Sequence, residues 1–119
     1  MQGMLALMYE KGQGVDQNDA KAFELYQNLA NDGIDLYQSK IGDMYLKGKG
    51  TTQSDTKAFE WTRKAALQDL PMAQSGLAVF YEKGINIQQD KNKALEWYQK
   101  SCSNGYQFAC AEYRRLYQK

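Results

Sequence analysis

The 119-residue chain contains no histidine. The commonest general base and the commonest metal ligand are therefore both missing. Serine and cysteine have no imidazole to activate them as nucleophiles. Cysteine occurs only at Cys102 and Cys110, and two thiols without histidine fall short of a four-ligand zinc set. No catalytic residue, metal or cofactor is expected, and the chain does not read as an enzyme. No apolar run approaches the length that spans a bilayer, so membrane insertion is not expected either. Charge of one sign is also lacking: 15 basic residues face 14 acidic ones, for a net charge of +1. Without a basic block or stripe, nucleic-acid binding has little support. The apolar start, Met1 to Met8, has no basic segment before it and runs directly into a repeat, so it reads as a helix and not as a signal peptide.

What is present is a repeat. Tyr9-Glu10-Lys11-Gly12, Tyr45-Leu46-Lys47-Gly48 and Tyr81-Glu82-Lys83-Gly84 recur at an interval of 36 residues, and Tyr117 falls at the next step. A period in this range means a stack of supersecondary units. Such a stack presents an extended surface and rarely encloses a catalytic pocket. The boundaries fall near 1–34, 35–70 and 71–106, with a terminal helix over 107–119, all within one domain spanning 1–119.

Aligned on the period, each column acquires a physical role. Ala22, Ala58 and Ala94 are identical, each preceded by lysine, and apolar residues continue from them at helical spacing. This is one helix of each pair, the B helix. Its start is marked by Asn18, Ser54 and Asp90, three different residues that all serve as N-caps. Its end is marked by Gly33, Asp69 and Gly105; glycine adopts the left-handed backbone freely and aspartate at some cost. Pro71 follows where a first-turn proline is tolerated. The other helix, the A helix, precedes the Tyr-x-Lys-Gly turns. Its expected core columns are Leu5, Ile41, Leu77 and Tyr113, then Met8, Met44, Phe80 and Leu116, then the tyrosines Tyr9, Tyr45, Tyr81 and Tyr117. A small column, Ala6, Gly42 and Ala78, lets the paired helix approach closely. Arg114 breaks that column where no B helix follows, and reads as a solvent-facing cap. The order is A-B-A-B-A-B-A, seven helices, with no alternation that would argue for strands. The Gly12-Gln13-Gly14 and Gly48-Lys49-Gly50 segments turn the chain between helices; a phosphate cradle would need a preceding strand and a longer glycine pattern.

These residues resemble the Sel-one-like repeat family, relatives of the tetratricopeptide repeat. The second unit carries Ile41-Gly42, Tyr45, Gly48, Gly50, Lys57-Ala58, Trp61 and Lys64-Ala65-Ala66. The first carries Tyr9, Gly12, Gly14-Val15, Lys21-Ala22, Tyr26 and Gly33. The third carries Tyr81, Gly84, Asp90, Lys93-Ala94, Trp97-Tyr98, Lys100 and Gly105. Three residues depart from the pattern: Thr62 for the motif tyrosine, Asn86 for the second glycine and Asp69 for the closing glycine. They bear on local turn geometry. The resemblance implies an all-α, right-handed solenoid of antiparallel helix pairs, with A helices on the concave face. It also implies a protein-interaction scaffold that binds a partner protein or peptide as a monomer. Some relatives are immunity proteins or inhibitors of secreted effectors, which is the alternative function. A cysteine-rich branch linked to beta-lactam binding and hydrolysis is a remoter one.

Cys102 stands in the Ala30/Ala66 column and Cys110 in the Gln38/Gln74 column, in one turn region across a helix pair. The paired substitution points to a disulfide and hence to a bacterial periplasm or the cell exterior. The alternative is two free thiols, which would suit a cytoplasmic protein. Trp61 and Trp97 recur at one helical column and are expected to pack between repeats. Glu60 with Lys64 and Glu96 with Lys100 are four-apart pairs on exposed faces. On the A helices, the columns not needed for packing are Leu36, Lys40 and Asp43, then Met72, Gly76 and Val79, then Phe108, Glu112 and Arg115. They vary in size and charge, as a binding surface on a regular scaffold would. The alternative is that the apolar members pack between neighbouring A helices.

Overall fold

Three helix starts use one cap built from three residue types. The side chains of Asn18, Ser54 and Asp90 accept hydrogen bonds from the backbone N–H groups of Lys21, Lys57 and Lys93 at 3.0, 3.2 and 3.1 Å. Each satisfies an N–H that the first helical turn leaves without a partner. The computed structural model describes residues 2–118. It has seven α-helices: α1 (Gln2–Lys11), α2 (Asp19–Asn31), α3 (Asp35–Lys47), α4 (Asp55–Leu67), α5 (Pro71–Lys83), α6 (Lys91–Ser103) and α7 (Gln107–Tyr117). No strand occurs among the described residues. Odd-numbered helices are the A helices and even-numbered ones the B helices. Each packs chiefly against the helix before it and the helix after it, giving an elongated stack of 47 × 27 × 23 Å.

The seams between helices are built from small residues. Ala6, Ala22, Ala58, Ala78 and Ala94 are all fully buried. At Gly42 a β-carbon would lie 2.5 Å from Thr62 Oγ1 and 3.2 Å from the Ala58 carbonyl, so α3 and α4 approach closely there. Gly50, with φ of 75°, abuts the Asp19 backbone carbonyl so tightly that no side chain fits. Asp69 and Asn86 keep the left-handed turns of the glycines they replace, with φ of 67° and 68°. The Asn86 side chain accepts a hydrogen bond from Thr56 Oγ1 at 2.8 Å, which helps to hold that turn. Pro71 is the first residue of α5, where its missing N–H costs nothing.

Ile41, Leu77, Met44, Phe80 and Leu116 are core residues as their columns predict. Leu5 is not: it is exposed, as is Tyr117, while Met8, Tyr113, Tyr9, Tyr45 and Tyr81 are only half-buried. Leu5, Met8, Tyr113 and Tyr117 lie on α1 and α7, each of which packs chiefly against one helix among the described residues. Trp61 and Trp97 pack against the cores of adjoining units. Lys64 and Lys100 lie over these rings, 4.3 and 5.2 Å from the centroids, within the range of cation–π attraction. Arg114 is exposed.

A periodic staple fastens each B helix to the next A helix. The Gln38 amide donates to the Ala30 carbonyl and the Gln74 amide to the Ala66 carbonyl, at 3.5 and 3.3 Å. The two glutamines accept in turn from Gln68 and Asn104, at 2.7 and 2.9 Å. At the third junction the same two columns hold Cys102 and Cys110. They form a disulfide, with α-carbons 4.7 Å apart.

Candidate functional site

One set of positions, repeated every 36 residues, changes character along the stack. In the first unit it is an ionic cluster around a buried carboxylate. The Tyr26 hydroxyl donates to Glu10 Oε1 at 2.9 Å, and the Lys40 and Lys49 ammonium groups donate to Glu10 Oε2 at 2.8 and 2.9 Å. Glu10 is 3% exposed. Burial alone would raise its pKa, but the hydrogen bonds from Lys40, Lys49 and Tyr26 outweigh this and hold it down at about 2. Burial, reinforced by the bond to Glu10, pushes the Tyr26 phenol well above its ordinary value. The bond to Glu10 likewise raises the Lys49 ammonium.

The third unit repeats the tyrosine–glutamate pair with a different cation, Arg115, which stands in the Asp43/Val79 column. The Tyr98 hydroxyl donates to Glu82 Oε1 at 2.8 Å, and the Arg115 guanidinium donates to both Glu82 oxygens and to Glu112. Burial first, then the bond to Glu82, raises the Tyr98 phenol. Glu112 and Glu82 together hold Arg115 firmly protonated.

In the second unit the cluster is gone. Leu46 stands where Glu10 and Glu82 stand, Thr62 replaces tyrosine, Gly76 aligns with Lys40, and Ile85 with Lys49. All four line a groove of about 650 Å³ that crosses α1, α3 and α5. The lining is mostly apolar, with Leu7, Leu36, Met72, Val79 and Phe80 among it. Thr62 therefore bears on the groove floor and not on a turn: it sits in the middle of α4.

Of the nine residues singled out on the A helices, the groove brings together six: Leu36, Lys40, Asp43, Met72, Gly76 and Val79. Leu36 and Met72 are exposed, at 48% and 46%. Val79 is half-buried and packs partly against the core of the third unit. Asp43 pairs with Lys47 at 3.2 Å. The other three lie on α7. Phe108 is 56% exposed beside Tyr106, while Glu112 and Arg115 belong to the Glu82 cluster. The Glu10/Leu46/Glu82 and Lys49/Ile85 columns were not singled out from sequence. The signal that marks them is correlated: Leu46, Thr62, Gly76 and Ile85 change together, each one period from a member of the Glu10 cluster. Among the described residues no group of three or more His, Cys, Asp or Glu side chains is placed to hold a metal ion, and no helix is long and apolar enough to cross a membrane.

The Sel1 repeat family model matches residues 2–34, 36–70 and 71–106. A Sel1 repeat protein from Oxalobacter formigenes superposes with a TM-score of 0.90 at 29% identity, over 94% of this chain and 46% of that one. The protein c5321, a protective antigen of uropathogenic Escherichia coli strains with an SLR fold, superposes with a TM-score of 0.94 at 35% identity. That match covers 99% of this chain and 25% of the antigen, so this chain spans less than half the length of either protein. Cysteine-rich protein B of Helicobacter pylori shares the fold at 19% identity, with a TM-score of 0.76 over 91% of this chain and 88% of its own. No curated protein sequence matches significantly.

Proposed function

The chain belongs to the Sel1 repeat family, and from that premise we propose that it is a scaffold whose A-helix groove holds a segment of a partner polypeptide. Proteins with this fold serve generally in protein interaction. The observation that carries the reading is the groove itself: an apolar channel crossing three A helices, with the exposed side chains of Leu36 and Met72 along it. A regular repeat has no structural need for it, since the flanking units fill the same positions with their own side chains. Apolar anchors with charged neighbours such as Lys40 and Asp43 match the anatomy of a protein interface. The Cys102–Cys110 bridge supports an oxidising compartment, a bacterial periplasm or the cell exterior.

The test uses Leu36→Asp with Met72→Asp, because both side chains are exposed, whereas Val79 is partly in the core. The double variant keeps its helical signal and thermal midpoint. Binding of a partner captured from the native envelope fraction weakens at least tenfold, about 1.4 kcal/mol, by calorimetry. Unchanged binding by a folded variant would move the interface off this face.

A further inference from the structure

We propose that Asn104 is a modification site, deamidated when the Cys102–Cys110 bridge opens, and that the bridge is its guard. Asn104 is the only asparagine of the chain that glycine follows. The pair is labile because glycine has no β-carbon to shield its backbone nitrogen. That nitrogen gives its proton to solvent base and bonds to the side-chain carbonyl carbon of the asparagine. Ammonia leaves with the former amide nitrogen, and a cyclic imide remains. Water then opens the imide at either carbonyl, giving aspartate or isoaspartate. The net change is ammonia for water, with no electron transferred.

Asn104 and Gly105 are both exposed to solvent, yet the fold keeps their reacting groups apart. Asn104 is the C-cap of α6, with ψ of 9°. Ring closure needs the Gly105 nitrogen eclipsed with the Asn104 side chain about the Cα–C bond. This backbone eclipses it with the Asn104 nitrogen instead. The Gly105 N–H donates to the Cys102 carbonyl at 2.9 Å, and the Asn104 amide donates to Gln74 Oε1 at 2.9 Å. The Tyr106 N–H completes the turn by donating to the Ser101 carbonyl at 3.1 Å.

The bridge encloses this turn. Cys102 and Cys110 are separated by 8 positions, and the loop they close contains both reacting residues. Asp32-Gly33 and Gln68-Asp69 occupy the equivalent turns of the first and second units. The labile pair and the bridge therefore share one junction and occur at no other. Both cysteines are partly exposed, within reach of a dithiol. In the exchange, two electrons and two protons pass to the bridge, Cys102 and Cys110 become thiols, and the dithiol becomes a disulfide. The turn then opens more often, and only the open form reacts. The result outlasts its cause, because the bridge can re-form but the ammonia is not recovered. A carboxylate at position 104 cannot donate to Gln74, which is fully buried and keeps its own amide on the Ala66 carbonyl. Lys100, one turn earlier on α6, lies over the Trp97 ring.

The test incubates three proteins at mildly alkaline pH: the bridged wild type, the wild type kept reduced with dithiothreitol, and Cys102→Ser with Cys110→Ser. Peptide mass mapping follows the exchange of ammonia for water at Asn104. It should run at least tenfold faster in both unbridged proteins, the factor that about 1.4 kcal/mol of local opening free energy supplies. Equal rates with and without the bridge would overturn the guard. Amide hydrogen exchange separates a local effect from general loosening. Without the bridge, Gly105 and Tyr106 should exchange faster, while Gly33 and Ile34 in the equivalent turn of the first unit stay as they were. Equal acceleration at the two turns would mean that the bridge acts on the whole fold, and would also overturn the proposal. Asn104→Asp in the bridged protein mimics the modified state and should lower the thermal midpoint. An unchanged midpoint would overturn the lasting consequence.

Discussion

The first and second units share a backbone plan and differ in what they put at its centre. In the first, Glu10, Tyr26, Lys40 and Lys49 close the space with an ionic cluster around a buried carboxylate. In the second, Leu46, Thr62, Gly76 and Ile85 leave it open and apolar. Caps, turns and small seam residues are the same in kind, so the period is maintained by those positions and not by the cluster. A repeat fold can therefore exchange one coherent group of side chains for another without altering its pitch.

The largest effect should come from making the first unit resemble the second at one position only. Glu10→Leu leaves the Tyr26 hydroxyl and two lysines around a buried site without their carboxylate. Denaturant unfolding should show a loss of about 3 kcal/mol, from the lost charge-assisted hydrogen bonds and the stranded Tyr26 hydroxyl, because the two lysines are each about a third exposed and can turn to solvent. A loss below about 1 kcal/mol would mean that the cluster only decorates the fold.

Acid provides the same perturbation without a mutation. The Glu10 pKa falls from an ordinary 4.5 to about 2 on folding. A depressed carboxylate contributes stability that is fully present above pH 4.5 and disappears as pH falls through 2. The contribution is on the order of 3 kcal/mol. Unfolding free energy measured across this window should decline in the wild type and remain much flatter in Glu10→Leu.

At the last junction the comparison is between a covalent staple and its hydrogen-bonded counterparts. Cys102→Ser with Cys110→Ser should cost about 2–3 kcal/mol by the chain-entropy account of a short loop. Gln74→Ala, which removes the equivalent bond one unit earlier, should cost about 1 kcal/mol. Thermal unfolding of the two variants orders them. Two alkylated thiols in protein freshly isolated from its native compartment would show that the bridge is not the working state.

The smallest effect sharpens the contrast from the other side. Gly76→Ala adds a methyl group where only the Thr62 methyl lies within contact distance, and it removes a glycine from the interior of a helix. A gain of about 0.5–1 kcal/mol is expected in chemical denaturation. A loss would show that the recess is already packed.

The helices, their caps and their order were legible because each repeats in chain order. The N-cap column was visible as chemistry even though Asn18, Ser54 and Asp90 differ. Pairing of Cys102 with Cys110 was legible because both replace residues of the Ala30 and Gln38 staple. The groove was legible only in outline. Leu36, Lys40, Asp43, Met72, Gly76 and Val79 could be placed on one face, but Phe108, Glu112 and Arg115 were assigned by the same periodicity and lie outside the groove. Periodicity states which face a residue occupies, and not whether its neighbours fill the space beside it. Leu5 and Tyr113 mark the same boundary, since a column loses burial on α1 and α7, where the described residues supply a packed neighbour on one side only.

Because each helix packs chiefly on its immediate neighbours in the chain, almost every loop that must close during folding is short. Closure entropy is correspondingly small, and such topologies fold quickly. A unit can complete its seams once the following A helix has left the ribosome, without waiting for distant sequence. Growth of the chain and growth of the fold can thus proceed in step, and unfinished apolar surface is confined to the advancing end.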